Sequence, residues 1–213
     1  MRPILIDLDD TLLDDRAACR IAFASFMQAH APSLNNLSDT DLLSRWKIIT
    51  ARHWQRFEKG ELSFLEQRRL RVRDFLGTVL TDDQADEAFL PYLMAYESSW
   101  QLFPDVGEFL KLTADVPKII VSNGDREQQL RKICATGLAA HFIDIITPED
   151  CGYWKPNPEI FIAAARILNV KLSDCLVIGD DFFRDIVPAK RLGMKWFHVE
   201  RSVPQSGLLQ ALV

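Results

Sequence analysis

The chain has 213 residues, enough for one large domain or a core with a smaller insert, and its 48% hydrophobic content is ordinary for a globular protein. A net charge of −5 argues against a dedicated nucleic-acid binder, and no stretch approaches the roughly 18 apolar residues that span a bilayer. Cys19, Cys134, Cys151 and Cys175 form no C-x-x-C pair, and the N-terminus lacks the basic-then-apolar pattern of a secretory signal, so a reduced, cytoplasmic protein is expected.

The first element is Ile4-Leu5-Ile6, a buried-strand pattern that runs into Asp7-Leu8-Asp9-Asp10-Thr11-Leu12. In open α/β sheets ligands bind beyond the carboxyl ends of the strands, which is where Asp7 and Asp9 fall. The two carboxylates converge only if the chain turns sharply after Asp7. Forced together they repel, which favours a cation between them, so the pair reads as a Mg²⁺ site in which one carboxylate also does chemistry.

Residues 15–100 contain no strand-like run. Leu42, Trp46, Ile49, His53 and Phe57 keep helical spacing, as do Ala85, Ala88, Phe89, Tyr92, Leu93 and Tyr96, with breaks at Gly60 and near Gly77 to Thr81. This predicts an insert of about four helices. Residues 45–73 carry nine Lys or Arg against three Glu. That excess reads either as a solvated helical face or as a basic lid that attracts an anionic substrate.

From residue 104 onward strand-like and helical patterns alternate. Apolar runs end at Ser122, Ile146, Gly179 and Val199. Asp125 with Gln128 resembles a capping box, followed by Leu130, Ile133 and Cys134 on one face and a stop at Gly137; Asn157 and Pro158 open a second helix bearing Phe161, Ala164, Ala165 and Leu168. The pattern predicts an α/β fold: a Rossmann-like, three-layer parallel sheet core of residues 1–14 and 101–213, with an all-helical cap domain, residues 15–100, inserted after the first strand. The polar residues ending the strands, Asp7, Asp9, Ser122, Asp180 and Asp181, joined by Lys155, supply what phosphoryl transfer needs: a carboxylate nucleophile, an acid/base, a hydroxyl, a cation and a metal site. His30, His53, His141 and His198 show no ligand spacing.

Four segments in this order, Asp7-Leu8-Asp9-Asp10-Thr11-Leu12, Ser122-Asn123-Gly124, Lys155-Pro156-Asn157-Pro158 and Gly179-Asp180-Asp181 with Asp185, give the chain a resemblance to the haloacid dehalogenase superfamily, in its phosphatase branch with a helical C1-type cap. The resemblance implies a cytoplasmic phosphoric monoester hydrolase acting on a small phosphorylated metabolite, such as a nucleoside 5′-monophosphate or a sugar phosphate. Asp7 would be the nucleophile, Asp9 the acid/base, Ser122 a phosphoryl hydrogen-bond partner and Lys155 the cation. Mg²⁺ would be held by Asp7, by the backbone carbonyl of Asp9 and by Asp180. Asp181 and Asp185 would be outer partners of the metal or helix caps, with Asp185 the better placed to orient Lys155. Thr11, Asn123 and Gly124 would meet the substrate, as would Arg52 and Trp54 of the cap.

Dehalogenation is disfavoured because Asp9 has no use without a leaving-group oxygen. A sugar-phosphate mutase shares the core motifs. A phosphonatase would need a cap lysine to form a Schiff base, for which Lys47 and Lys59 are unmarked candidates. A receiver-like or non-catalytic phospho-binding module is the reading outside enzymes. The oligomeric state is not readable.

Overall fold

The computed structural model describes residues 1–30, 38–203 and 206–213. The chain divides into two compact units, one of Met1–Asp15 with Trp100–Val213 and one of Arg16–Ser99.

The first unit is built on five parallel strands: β1 (Ile4–Ile6), β2 (Lys118–Val121), β3 (Asp144–Ile146), β4 (Leu176–Gly179) and β5 (Lys195–His198), in the order β3-β2-β1-β4-β5. β1 lies at the centre, with Leu5 opposite Ile119 on one side and Val177 on the other. The apolar runs Phe142–Ile146, Cys175–Gly179 and Trp196–Val199 of the sequence correspond to strands that start at Asp144, Leu176 and Lys195, shifts of one or two residues.

Alternation along the strands sorts their side chains into two apolar layers. Ile4, Ile6, Ile120 and Ile178 face Val106, Phe109, Ile133 and Leu138, which come from α5 (Val106–Leu112), α6 (Arg126–Ala135) and the turn after it. Leu5, Ile119, Val121 and Val177 face Ile160, Phe161 and Ala164 of α8 (Pro158–Ile167) and Ala189 of α9 (Val187–Arg191). A short α7 (Pro148–Cys151) comes after β3. Because all strands run the same way, β1, β2 and β4 end at one edge, and that edge presents Asp7, Ser122 and Asp180.

The second unit holds α1 from its second residue (Asp15–His30), α2 (Asp39–Glu58), α3 (Phe64–Leu76) and α4 (Asp82–Ser98). Capping boxes open α3 (Ser63 with Glu66) and α4 (Thr81 with Gln84), and Gly77, at φ 66°, ends α3 in the left-handed region that glycine enters without steric cost. Phe75 is fully buried and meets the rings of Trp46 at 5.3 Å, Phe26 at 5.6 Å and Phe23 at 6.0 Å. The basic run is only partly a solvated face. Lys47 and Lys59 are exposed, but Arg71 is buried with its guanidinium 4.7 Å from the Trp46 ring centre, and Arg69 pairs with Asp82 and Asp86 at 2.6 Å each. Among the described residues no helix is long and apolar enough to cross a membrane.

Truncating Phe75 removes the ring that all three neighbours share. Phe75→Ala is expected to lower stability by about 3–5 kcal/mol, read as a reduced urea midpoint. A midpoint unchanged from wild type would show that these rings do not set the stability of the helical unit.

Candidate active site

β1 delivers Asp7 into a buried position at the carboxyl edge of the sheet, where its amide donates to the Ile178 carbonyl at 2.9 Å. The chain then turns sharply. Asp10 adopts φ 58°, a left-handed conformation that Asp tolerates better than most residues, and the Leu12 and Leu13 amides return to the Leu8 carbonyl at 2.9 and 3.0 Å.

Lys155 reaches Asp7 from the loop after α7. Its Nζ lies 2.5 Å from Asp7 Oδ1 and 2.8 Å from Asp185 Oδ1, and the side chain is 4% exposed. An amide and a glycine hold this arrangement. The Asn123 side chain clasps the Lys155 backbone from both sides: its Nδ2 donates to the Lys155 carbonyl at 2.9 Å, and its Oδ1 accepts from the Lys155 amide at 2.7 Å. At Gly179 a Cβ would collide with the Asp185 carboxylate, so the glycine lets Asp185 approach. Thr11 Oγ1 donates to Asp7 Oδ2 at 3.1 Å and accepts from the Asp180 amide at 3.0 Å, tying the ends of β1 and β4 together.

Asp7, Asp180 and Asp185 thus each bring a carboxylate oxygen within 4.8 Å of the others. Burial pushes the Asp7 carboxyl up to about 6, with Lys155 pulling the other way, and burial raises Asp185 as well. Burial works against the Lys155 charge, but Asp185 and Asp7 overcome it and hold the amine protonated. The Lys155 ammonium contacts two of these carboxylates, and the all-oxygen, electron-rich donor set of the three fits a hard divalent cation such as Mg²⁺.

Asp9 is turned to a different environment. Its Oδ1 accepts from Lys132 Nζ at 2.6 Å and its Oδ2 from Gln129 Nε2 at 2.6 Å. Lys132 also donates to Asp15 at 3.0 Å, and Gln129 Nε2 to Ser122 Oγ at 2.7 Å. Ser122 Oγ accepts from the Gly124 amide too, at 3.0 Å. With both of these contacts accepted, its own hydrogen is left to donate. A Cβ on Gly124 would overlap the Gln129 side chain, so that glycine admits Gln129.

The structure corrects one expectation, the inward face of α6, and locates the other expected residues. Helical spacing puts Leu130, Ile133 and Cys134 on the inward face of α6, but Leu130 and Cys134 are exposed, and Gln128, Gln129 and Lys132 are buried beside Ile133. The face that meets the sheet edge is polar because it meets Asp9 and Ser122. Asn123 and Thr11, expected at the substrate, spend their side chains on Lys155, Asp7 and Asp180. Asp181 takes the second of its two expected places, capping the π-helical turn Phe182–Ile186 and accepting from the amides of Phe183 and Arg184 at 2.9 and 3.0 Å. Arg52 and Trp54 belong to the helical unit, where Arg52 pairs with Asp74 at 3.5 Å and Trp54 Nε1 donates to Glu58 at 3.0 Å.

Sequence patterns alone do not single out Gln129, Lys132 or two supports of the site. His198 Nε2 lies 2.8 Å from the Asp180 carbonyl, and Arg201 pairs with Asp105 at 2.8 Å while its Nε donates to the Thr11 carbonyl at 3.1 Å. A lysine three residues past a glutamine on a short helix is the one available signal for the first pair.

The raised Asp7 carboxyl has a consequence for stability. Its folded value of about 6 exceeds the ordinary 3.8, so the folded state binds that proton more tightly. The resulting stability is complete below about 3.8 and is lost as pH rises through about 6. In metal-free buffer at pH 8, Asp7→Asn is therefore expected to be more stable than wild type by about 1–3 kcal/mol, a difference that shrinks towards pH 4. Thermal melts at the two pH values check this, and a variant less stable at pH 8 would contradict it.

Comparison with known proteins places this site in context. The profile of the family described as haloacid dehalogenase-like hydrolase matches residues 1–193. The HAD-hydrolase YfnB of Bacillus subtilis (strain 168) is 29% identical over 197 residues, covering 91% of this chain and 81% of its own length. The N-acylneuraminate-9-phosphatase of Homo sapiens is 23% identical over 212 residues, covering 96% and 85%. The crystal structure of YfnB bound to magnesium superposes with a TM-score of 0.76 at 26% identity, covering 96% of this chain and 92% of that one.

Proposed function

Given that the chain belongs to the haloacid dehalogenase-like hydrolase family, we propose that it is a Mg²⁺-dependent phosphatase that hydrolyses a small phosphomonoester through a phosphoryl-aspartate at Asp7. The observation that carries this reading is the buried Asp7 carboxylate, 2.5 Å from Lys155 and grouped with Asp180 and Asp185. The names of the phosphatase relatives and the magnesium in the YfnB crystal support it.

In the proposed reaction a carboxylate oxygen of Asp7 attacks phosphorus in line, and the bond from phosphorus to the ester oxygen breaks. Asp9 gives its proton to that oxygen. Ser122 donates a hydrogen bond to a phosphoryl oxygen, and Lys155 sets its charge beside the transferring group. The Asp9 carboxylate then takes a proton from water as the water oxygen attacks phosphorus, the acyl-phosphate bond breaks, and Asp7 is restored with release of phosphate. A Mg²⁺ ion held by Asp7, Asp180 and the carbonyl of Asp9 would supply positive charge against the phosphoryl oxygens. Asp185 keeps Lys155 oriented. Unaided hydrolysis of such esters is slow enough that enhancement reaches ~10²¹-fold, so several groups must share the work.

The reading extends to a sugar phosphate or a nucleoside 5′-monophosphate as substrate, with the N-acylneuraminate-9-phosphatase relative favouring the sugar class. Arg52 and Trp54 are proposed as substrate contacts of the helical unit, whose cap role is part of the same proposal. A mutase would return an isomerised sugar phosphate instead of free phosphate, and a dehalogenase would leave both esters intact.

The test is phosphate release from a panel of both ester classes. Wild type with Mg²⁺ is expected to release phosphate, a chelator to reduce this about 100-fold or more, and Asp7→Asn to reduce it roughly 10³-fold or more. Turnover retained by Asp7→Asn, or undiminished by the chelator, would overturn the assignment.

A further inference from the structure

We propose that Gln129 and Lys132 are positioning residues that clamp the Asp9 carboxylate for proton transfer to and from the substrate, a role that rests on the phosphatase reading above. Both come from one face of α6, three residues apart, and they reach opposite oxygens of the same carboxylate, each at 2.6 Å. Each carboxylate oxygen has two lone pairs, so the clamp fixes the plane of the group while leaving one lone pair per oxygen for chemistry. The Asp9 side chain keeps 30% exposure, whereas its Lys132 partner has 2%. The clamp thus lies on the inner side and the reacting side stays open.

A stabilising role alone accounts poorly for these residues. A lysine buried between Asp9 and Asp15 carries a desolvation penalty that a well-packed apolar side chain would avoid. Gln129 is fully buried, and its Oε1 has no hydrogen-bond partner, because both amide hydrogens are aimed at Asp9 and Ser122. A carboxylate can only accept, so the amide cannot turn over to satisfy that oxygen without losing Asp9. The orphaned carbonyl costs about 1–3 kcal/mol, and Gly124 gives up a side chain to admit the amide. Through Gln129 the clamp also couples Asp9 to Ser122. In the reaction Asp9 loses its proton to the ester oxygen as the ester bond breaks, then takes one from water as the acyl-phosphate bond breaks. Lys132 keeps its proton throughout.

Leaving-group dependence separates this role from a structural one. An alkyl phosphate needs the proton from Asp9, whereas p-nitrophenyl phosphate expels a stable phenolate without it. Lys132→Met and Gln129→Met are each expected to lower alkyl-phosphate turnover about 10²-fold or more, within the usual range for general acid catalysis, while p-nitrophenyl phosphate turnover falls less than about tenfold. In an Asp9→Asn background Lys132→Met should add less than about a twofold further loss on the alkyl ester, because the residue it serves is already gone. Equal losses on both esters, or full additivity with Asp9→Asn, would overturn the clamp. If Lys132→Met does not fold, Gln129→Met carries both measurements alone. A wild type without monoesterase activity, or an active Asp7→Asn, would instead overturn the phosphatase reading and the clamp with it.

Discussion

The contact of the Lys155 ammonium with both Asp7 and Asp185 is the interaction on which the candidate site depends. Removed from the fold, three carboxylates within 4.8 Å would drive one another apart or take up protons. With Lys155 in place they stay close, an oxygen-rich grouping of the kind that holds a divalent cation. Much of the surrounding structure serves that contact. Asn123 fixes the Lys155 backbone, Gly179 yields space to Asp185, and Thr11 links Asp7 to the Asp180 amide. Removing Lys155 would leave Asp7 and Asp185 buried without their shared cation, which costs more than the pairs themselves stabilise.

Asp7 and Asp9 are two residues apart, yet they live in different electrostatic surroundings. Asp7 shares its cation with a second carboxylate and sits near a third. Asp9 faces a second buried lysine, Lys132, with Asp15 on its far side. The left-handed turn at Asp10 makes this separation possible by reversing the chain just beyond Asp9. Environments that treat two neighbouring carboxyl groups differently are what a reaction with one nucleophile and one acid/base requires.

The strand ends are legible in the sequence because buried parallel strands are short apolar runs, and the residues just past those runs lie at one edge of the sheet. Asp7, Ser122 and Asp180 are located on that basis, with strand starts off by a residue or two. Two of the helices of the second unit, α2 and α4, are legible from spacing, since Trp46 in one and Phe89 and Tyr92 in the other repeat at helical intervals and are buried. The clamp on Asp9 is not. Spacing rules treat the buried face of a helix as apolar, so they favour Leu130 and Cys134 over Gln129 and Lys132. The basic run misleads for a related reason. Charge counts do not distinguish an exposed Lys47 from an Arg71 lying against Trp46, because that difference arises only when the helices pack.

The proposed reaction passes through a phosphoryl group on Asp7. Rapid acid quench of the wild-type protein with a turnover substrate, then peptide mass spectrometry, tests it most directly. A phosphoryl-aspartate adds the mass of one phosphoryl group to the peptide containing Asp7, removable by hydroxylamine as an acyl phosphate is. Full turnover with that peptide unmodified, or with the phosphoryl group on another residue, would contradict it.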